Sequence, residues 1–307
     1  MARGGRSEAD SELRQAREER LMDFDTGTPS DRAGRLWVDS LDVAKTAFFL
    51  DFDGTLAEIA ANPELASVKP QTLAALARLH TMAGGAVAVV SGRPIAQLDA
   101  LLQPLRLPLA GVHGLERRDS DGAVQRVPTD ADAYRQLAST VGDFASSRPG
   151  LVAEAKPGSV ALHYRQRPDY QPECLELAER VAGKGSPVRL LRGKMVIEMT
   201  LAARTKGDAI TDFMKERPFL GRRPFFAGDD VTDETGFATV NAMGGMSVKV
   251  GPGPTCARYR AADVDSIAEA LEALTDGRAT HPQDSGAGTN GAPRNLRPRE
   301  DEKKVDP

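Results

Sequence analysis

The sequence predicts an α/β fold, a doubly wound parallel sheet with a second α+β unit inserted into it. Three observations carry that expectation. Short apolar runs alternate with helical patterns along most of the chain. The runs are apolar throughout, as strands covered on both faces are. Between residues 115 and 199 the pattern changes to strand pairs joined by tight turns.

The elements follow in order. "TAFFL" at 46–50 is an apolar run bounded by charge and by Asp-Phe-Asp-Gly, a buried strand. "KPQTLAALARLHTM" has helical spacing and stops at Gly84-Gly85. "GAVAVVSGR" is a second buried strand, and "PIAQLDALL" a helix opened by proline. "LPLAGVHG" is a third strand. After the interval come the helix "GDAITDFMKE", the strands "RPFFAGDD" and "SVKVG", and a closing helix "VDSIAEALEALT". Inside the interval, "LERRDSDGAVQRVP" reads as a hairpin about Asp-Gly. Two more strand pairs turn at Lys-Pro-Gly and Arg-Gly-Lys, and two amphipathic helices separate the three pairs. That β-β-α-β-β-α-β-β order suits an antiparallel sheet with helices on one face. The expected organisation is a core at 41–114 and 200–275, an inserted unit at 115–199, a partly helical or disordered extension at 1–40, and a disordered tail at 276–307 rich in Gly, Pro, Asn and charge.

Composition excludes several classes. With 307 residues, 40% of them hydrophobic, the chain can bury one large core or two ordinary ones. The net charge is -4 and no basic run is long enough to track phosphates, so nucleic acid is not an expected partner. Two distant cysteines, Cys174 and Cys256, give no disulfide framework. No run approaches the ~18 apolar residues of a membrane span. The charged N-terminus has no apolar segment of a secretory signal. The expectation is a soluble cytoplasmic protein without a membrane partner.

Asp-Phe-Asp occurs twice, at 23–25 and at 51–53. Only the second follows a buried strand, and ligands of open α/β sheets bind beyond the carboxyl ends of strands. Residues two apart in an extended segment point the same way, so Asp51 and Asp53 can share a ligand; alone, the pair equally suits an Asx turn. Ser91 and Gly92 precede a helix whose free amides welcome an anion, although Ser91 also suits a plain N-cap. Lys206 opens a later helix, where the dipole disfavours a cation unless an anion compensates. Asp229, Asp230, Asp233 and Glu234 crowd four carboxylates into six residues, a repulsion that a cation relieves. Oxygen ligands without His or Cys favour Mg²⁺ over zinc, and such a site suits phosphoryl transfer.

The motifs "DFDGTL", "SGR", a lysine before glycine, and "GDDVTDE", in this order, resemble the haloacid dehalogenase superfamily of phosphatases. The chain further resembles the trehalose-6-phosphate phosphatase family, through "GVHGLE", "KPGSVALHYR", "GKMVIE", "TKGDAI" and "VKVGPGPTCARYRAADVDSIAEALEAL". The resemblance spans about residues 46–274. It implies a nucleophile at Asp51, a general acid and base at Asp53, and phosphoryl-oxygen contacts from Ser91 and Lys206. It implies Mg²⁺ held by Asp51, Asp53 through its carbonyl, Asp229 and Asp230, with Asp233 in support. Gly54, Thr55, Gly92, Arg93 and His113 in the core, and Lys156, His163, Arg165, Lys194 and Glu198 in the inserted cap, would meet the substrate. The implied reaction is hydrolysis of trehalose 6-phosphate, a step of trehalose biosynthesis, with a functional link to a trehalose-6-phosphate synthase. Two alternatives stand beside it: the same chemistry on a sucrose- or glucosylglycerate-type phosphate, and a non-catalytic regulator that binds a sugar phosphate.

Overall fold

The computed structural model describes residues 37–60, 65–202 and 204–276. The helix anticipated within 11–22, the first Asp-Phe-Asp and the C-terminal tail lie outside the described residues.

Strand β1 (Thr46–Leu50) is buried at every position and sits mid-sheet, parallel to both neighbours, β10 (Arg223–Gly228) and β2 (Val87–Val90). Its aromatic side chains explain why: Phe49 stacks on Phe219 with centroids 5.4 Å apart, and Phe48 meets Phe225 at 5.6 Å. Each such burial contributes about 1.5–3 kcal/mol, so this run cannot stay in solvent. β3 (Leu109–Gly111) continues the sheet beyond β2; β11 (Met246–Val250) and β12 (Tyr259–Ala261) continue it beyond β10, all in parallel. From β1 the chain winds one way through β2 and β3, then returns to wind the other way through β10, β11 and β12. The reversal falls between β1 and β10, where a crevice opens beyond the carboxyl ends.

Helix α1 (Pro70–Met82) has proline at its first turn and packs on α7 (Val264–Thr275), whose N-terminus is capped by Asp263 accepting from Ser266 N at 2.8 Å. Helix α2 (Ile95–Leu101) lies on β3. Helix α5 (Lys206–Phe213) opens with a capping box between Thr205 and Asp208 and packs on α6 (Glu234–Ala242).

A second sheet has four antiparallel strands in the order β6 (Val152–Lys156), β7 (Ser159–His163), β9 (Val196–Thr200), β8 (Arg189–Gly193). Helices α3 (Ala131–Ser146) and α4 (Gln171–Val181) pack on it, with a hydrophobic cluster of their own running from Leu137 to Met199.

One expectation is corrected here. The hairpin assigned to the inserted sheet, β4 (Glu116–Arg118) and β5 (Val124–Arg126), instead extends the large sheet antiparallel to β3. Alternation about Asp-Gly marks a hairpin but not the sheet it joins, and all three β4 residues are buried with their charges paired. Arg118 donates to Leu107 O and pairs with Asp99 at 2.7 Å, and Glu116 accepts from Arg126 at 2.8 Å. The smaller sheet therefore begins with β6 and has four strands, not six.

Candidate active site

The side chains singled out in the sequence meet at the carboxyl ends of β1, β2 and β10. Asp51 directly follows β1 and is buried. Its Oδ1 accepts from Lys206 Nζ at 2.8 Å, and the same amine donates to Asp233 Oδ1 at 2.6 Å. Lys206 comes from the first residue of α5, Asp233 from the turn between β10 and α6. One carboxylate oxygen each from Asp51, Asp229 and Asp233 lies within 4.8 Å of the others. Gly54 makes the approach feasible: its φ of +76° favours glycine, and a Cβ there would overlap the Asp229 carboxylate.

Charge in this cluster does not balance. Burial, then the Asp233 charge, pushes the Asp51 carboxyl well above its usual range despite Lys206. Burial, then Asp233 and Asp230, pushes Asp229 up to about 7. Burial works against the charged form of Lys206, yet the Asp233 and Asp51 carboxylates outweigh it and raise its pKa. Burial is the first cause of both carboxyl shifts, and the crowding of carboxylates around a single lysine adds to it. A divalent cation on the donor trio would offset that crowding, and three hard oxygens fit Mg²⁺.

Asp53 lines the same cleft as Asp51 but is held by other groups. The chain after β1 turns at once, with Phe52 O accepting from the amides of Leu56 and Ala57, so Asp51 and Asp53 take different partners. Arg93 grips Asp53 with both forks, Nε to Oδ2 at 2.6 Å and Nη2 to Oδ1 at 2.7 Å. Arg93 is thus engaged with Asp53. Ser91 is buried at the end of β2 and accepts from Arg93 N at 3.2 Å. The helix N-terminus beyond it already has an anion, because Ile95 N donates to Glu116 Oε2 at 3.0 Å.

A cleft of about 290 Å³ opens over these groups, lined on its other side by the smaller sheet. Lys156, His163, Arg165, Lys194 and Glu198 all line it. Buried Glu198 pairs with Lys156 at 3.1 Å and His113 at 3.3 Å and accepts from Ser159 at 2.8 Å. Burial opposes its ionisation, but Lys156 and His113 hold its carboxyl far below the usual range. Lys156 also donates to Gly92 O at 2.9 Å, and a Cβ at Gly92 would come within 2.7 Å of the His113 ring. His113 has φ +54°, costly for a non-glycine residue, and follows Val112 at +47°. Arg165 reaches Ala60 O at 2.7 Å and Lys194 O at 3.1 Å.

Two expected residues do not line the cleft, and one stands outside the carboxylate trio. Gly54 and Thr55 are not among the cleft-lining residues; Thr55 is fully buried, its hydroxyl without a hydrogen-bond partner among the described residues. Asp230 lines the cleft, but its carboxylate accepts from Lys194 N at 3.3 Å, and Asp233 takes its place beside Asp51 and Asp229. Two further residues went unread. Glu154 lines the cleft two residues before Lys156 on β6, and strand alternation alone puts the two on one face. Lys249 is the one charged residue of a buried strand and donates to the Asp229 carbonyl.

A parallel sheet reversing at β1, with carboxylates and a lysine gathered there, defines the haloacid dehalogenase type of fold. A haloacid dehalogenase-like hydrolase from B. subtilis shares it at a TM-score of 0.54 and 15% identity, over 75% of this chain and 98% of that one. The C-terminal domain of C. albicans trehalose-6-phosphate phosphatase superposes at a TM-score of 0.73 with 20% identity, over 83% of this chain and 99% of that one. In sequence, the trehalose-6-phosphate phosphatase of Escherichia coli K12 is 45% identical over 232 residues, 76% of this chain and 87% of that protein. The family model of trehalose-phosphatase matches residues 49–265, and the chain belongs to that family.

Proposed function

We propose that this protein is a Mg²⁺-dependent phosphatase that hydrolyses trehalose 6-phosphate through a phosphoryl group carried on Asp51. The observation that supports it best is the trio Asp51, Asp229 and Asp233 with Lys206, placed at the fold's reversal point beneath a cleft large enough for a sugar. Their carboxylates are the residues that would hold Mg²⁺, with the Asp53 carbonyl that the family resemblance adds. The ion's part is to neutralise phosphoryl oxygens.

In the first step an Asp51 oxygen attacks phosphorus, the bond from phosphorus to the sugar oxygen breaks, and that oxygen takes a proton from Asp53. In the second, Asp53 takes a proton from water, the water oxygen attacks phosphorus, and the bond to Asp51 breaks to release phosphate. Lys206 holds negative charge on Asp51 and, with Ser91, on the phosphoryl oxygens. The smaller sheet acts as a cap: Lys156, His163, Arg165, Lys194 and Glu198 face the sugar, and their position in the cleft supports this role. The arrangement favours an active enzyme over a silent binding protein, because both aspartates of the reacting pair are present and line the cleft. A cytoplasmic setting, supplied by a synthase that makes the same sugar phosphate, completes the reading; two free cysteines fit a reducing compartment.

A panel of sugar phosphates, with and without EDTA, tests the substrate. Trehalose 6-phosphate should be hydrolysed fastest and only with metal. Equal rates on sucrose 6-phosphate or a generic ester would overturn the substrate assignment.

A further inference from the structure

The two oxygens of Asp53 are both held by Arg93, and the Arg93 guanidinium lies over the Phe52 ring, 5.4 Å from its centroid. Arg93 is buried, so its fork has one settled place. Its remaining amine, Nη1, reaches Gln97 Oε1 at 3.5 Å, the longest link of the series. Gln97 stands half-buried on α2 and donates from Nε2 to Glu154 Oε1 at 3.1 Å. Glu154 belongs to β6 of the smaller sheet, and its other oxygen meets His163 Nε2 at 3.0 Å. A continuous polar chain therefore runs from the smaller sheet, across the gap between the sheets, to Asp53.

An amide is the side chain that this place needs. Its oxygen accepts from a guanidinium while its nitrogen donates to a carboxylate. A carboxylate at 97 would repel Glu154, an ammonium would repel Arg93, and an apolar side chain would join neither. Other contacts between the sheets end on the Gly92 carbonyl, on Glu198 with His113, or on Asp230, which takes the Lys194 amide; this one ends on Asp53.

We propose that Gln97 is a positioning residue that couples the seating of Glu154 over the cleft to the orientation of Asp53, acting through Arg93. The inference rests on the reading above that Asp53 exchanges the proton with the sugar oxygen. It concerns how the carboxylate is held, and it assigns Gln97 no contact with substrate.

The test uses the full chain with Mg²⁺ and two esters: trehalose 6-phosphate, and p-nitrophenyl phosphate, which has no sugar to engage the cap. Gln97→Met keeps the side-chain length and removes both hydrogen bonds. It should lower kcat/KM on the sugar phosphate about tenfold while kcat/KM on p-nitrophenyl phosphate, whose phenolate leaves without a proton from Asp53, stays within about twofold. Exchanging the groups, in Gln97→Glu with Glu154→Gln, restores an amide facing a carboxylate, so the double variant should be faster than Gln97→Glu alone. An unchanged kcat/KM on the sugar phosphate for Gln97→Met overturns the inference, as does an equal loss on both esters, which would place the effect in the core without the cap. Independent, multiplying losses for Gln97→Met and Glu154→Gln overturn it as well. Wild-type protein inactive on trehalose 6-phosphate refutes the parent reading, and the inference falls with it; an active wild type with an unaltered Gln97→Met refutes the inference alone.

Discussion

Glu154 shows how much one residue of the cleft contributes in both directions. Burial opposes its charge, but His163, Lys156 and Gln97 outweigh burial and lower its carboxyl from 4.5 to about 2. A folded-state pKa below the unfolded one means that the stabilisation is complete above pH 4.5 and fades as pH falls from there toward 2. With some exposure to solvent discounted, the contribution is about 2 kcal/mol. Glu154→Gln should therefore be less stable than the wild type at pH 7, and urea unfolding should show the gap closing as pH drops below about 4.5. A gap that stays constant across that window contradicts the assigned cause.

Between residue and element stands the turn that follows β1. Gly54→Ala meets two obstacles, a positive φ and the Asp229 carboxylate in the space of its Cβ. It should destabilise the fold by about 1–3 kcal/mol in thermal melts and lower phosphatase activity about a hundredfold or more, because Asp229 must leave its place. The strands that build this site were legible in sequence: apolar runs announced β1, β2 and β10, and the residues just past each one are those that converge. What stayed hidden depended on pairing that no local pattern shows. The hairpin of Glu116, Arg117 and Arg118 was legible, but not the sheet it joins, because Arg117 and Arg118 find their ion partners outside it, at Glu216 and Asp99. Arg93 lines the cleft as expected, but its bidentate hold on Asp53 was not legible because that partner stands forty residues earlier. Asp233 and Asp230 could not be told apart by spacing, since a turn of 3₁₀ helix decides which faces Asp51.

At the scale of the molecule, the large sheet carries the carboxylate trio and Lys206 while the smaller one lines the other side of the cleft, and among the described residues no helix is long and apolar enough to cross a membrane. Mg²⁺ should stabilise this molecule, because it relieves repulsion that the folded chain alone contains. At a hundred times its Kd the gain is about 2.7 kcal/mol, readable as a rise in Tm that EDTA reverses. Asp229→Asn should abolish that rise while leaving a folded protein; a rise that survives in the variant would place the ion elsewhere. The central claim is that Asp51 bonds to phosphorus. Borohydride added during turnover of trehalose 6-phosphate reduces an acyl phosphate to an alcohol, which peptide mass spectrometry locates. The account expects that reduction at position 51, with none in Asp51→Asn or without substrate. Steady turnover with an unreduced Asp51, or turnover by Asp51→Asn, would contradict it.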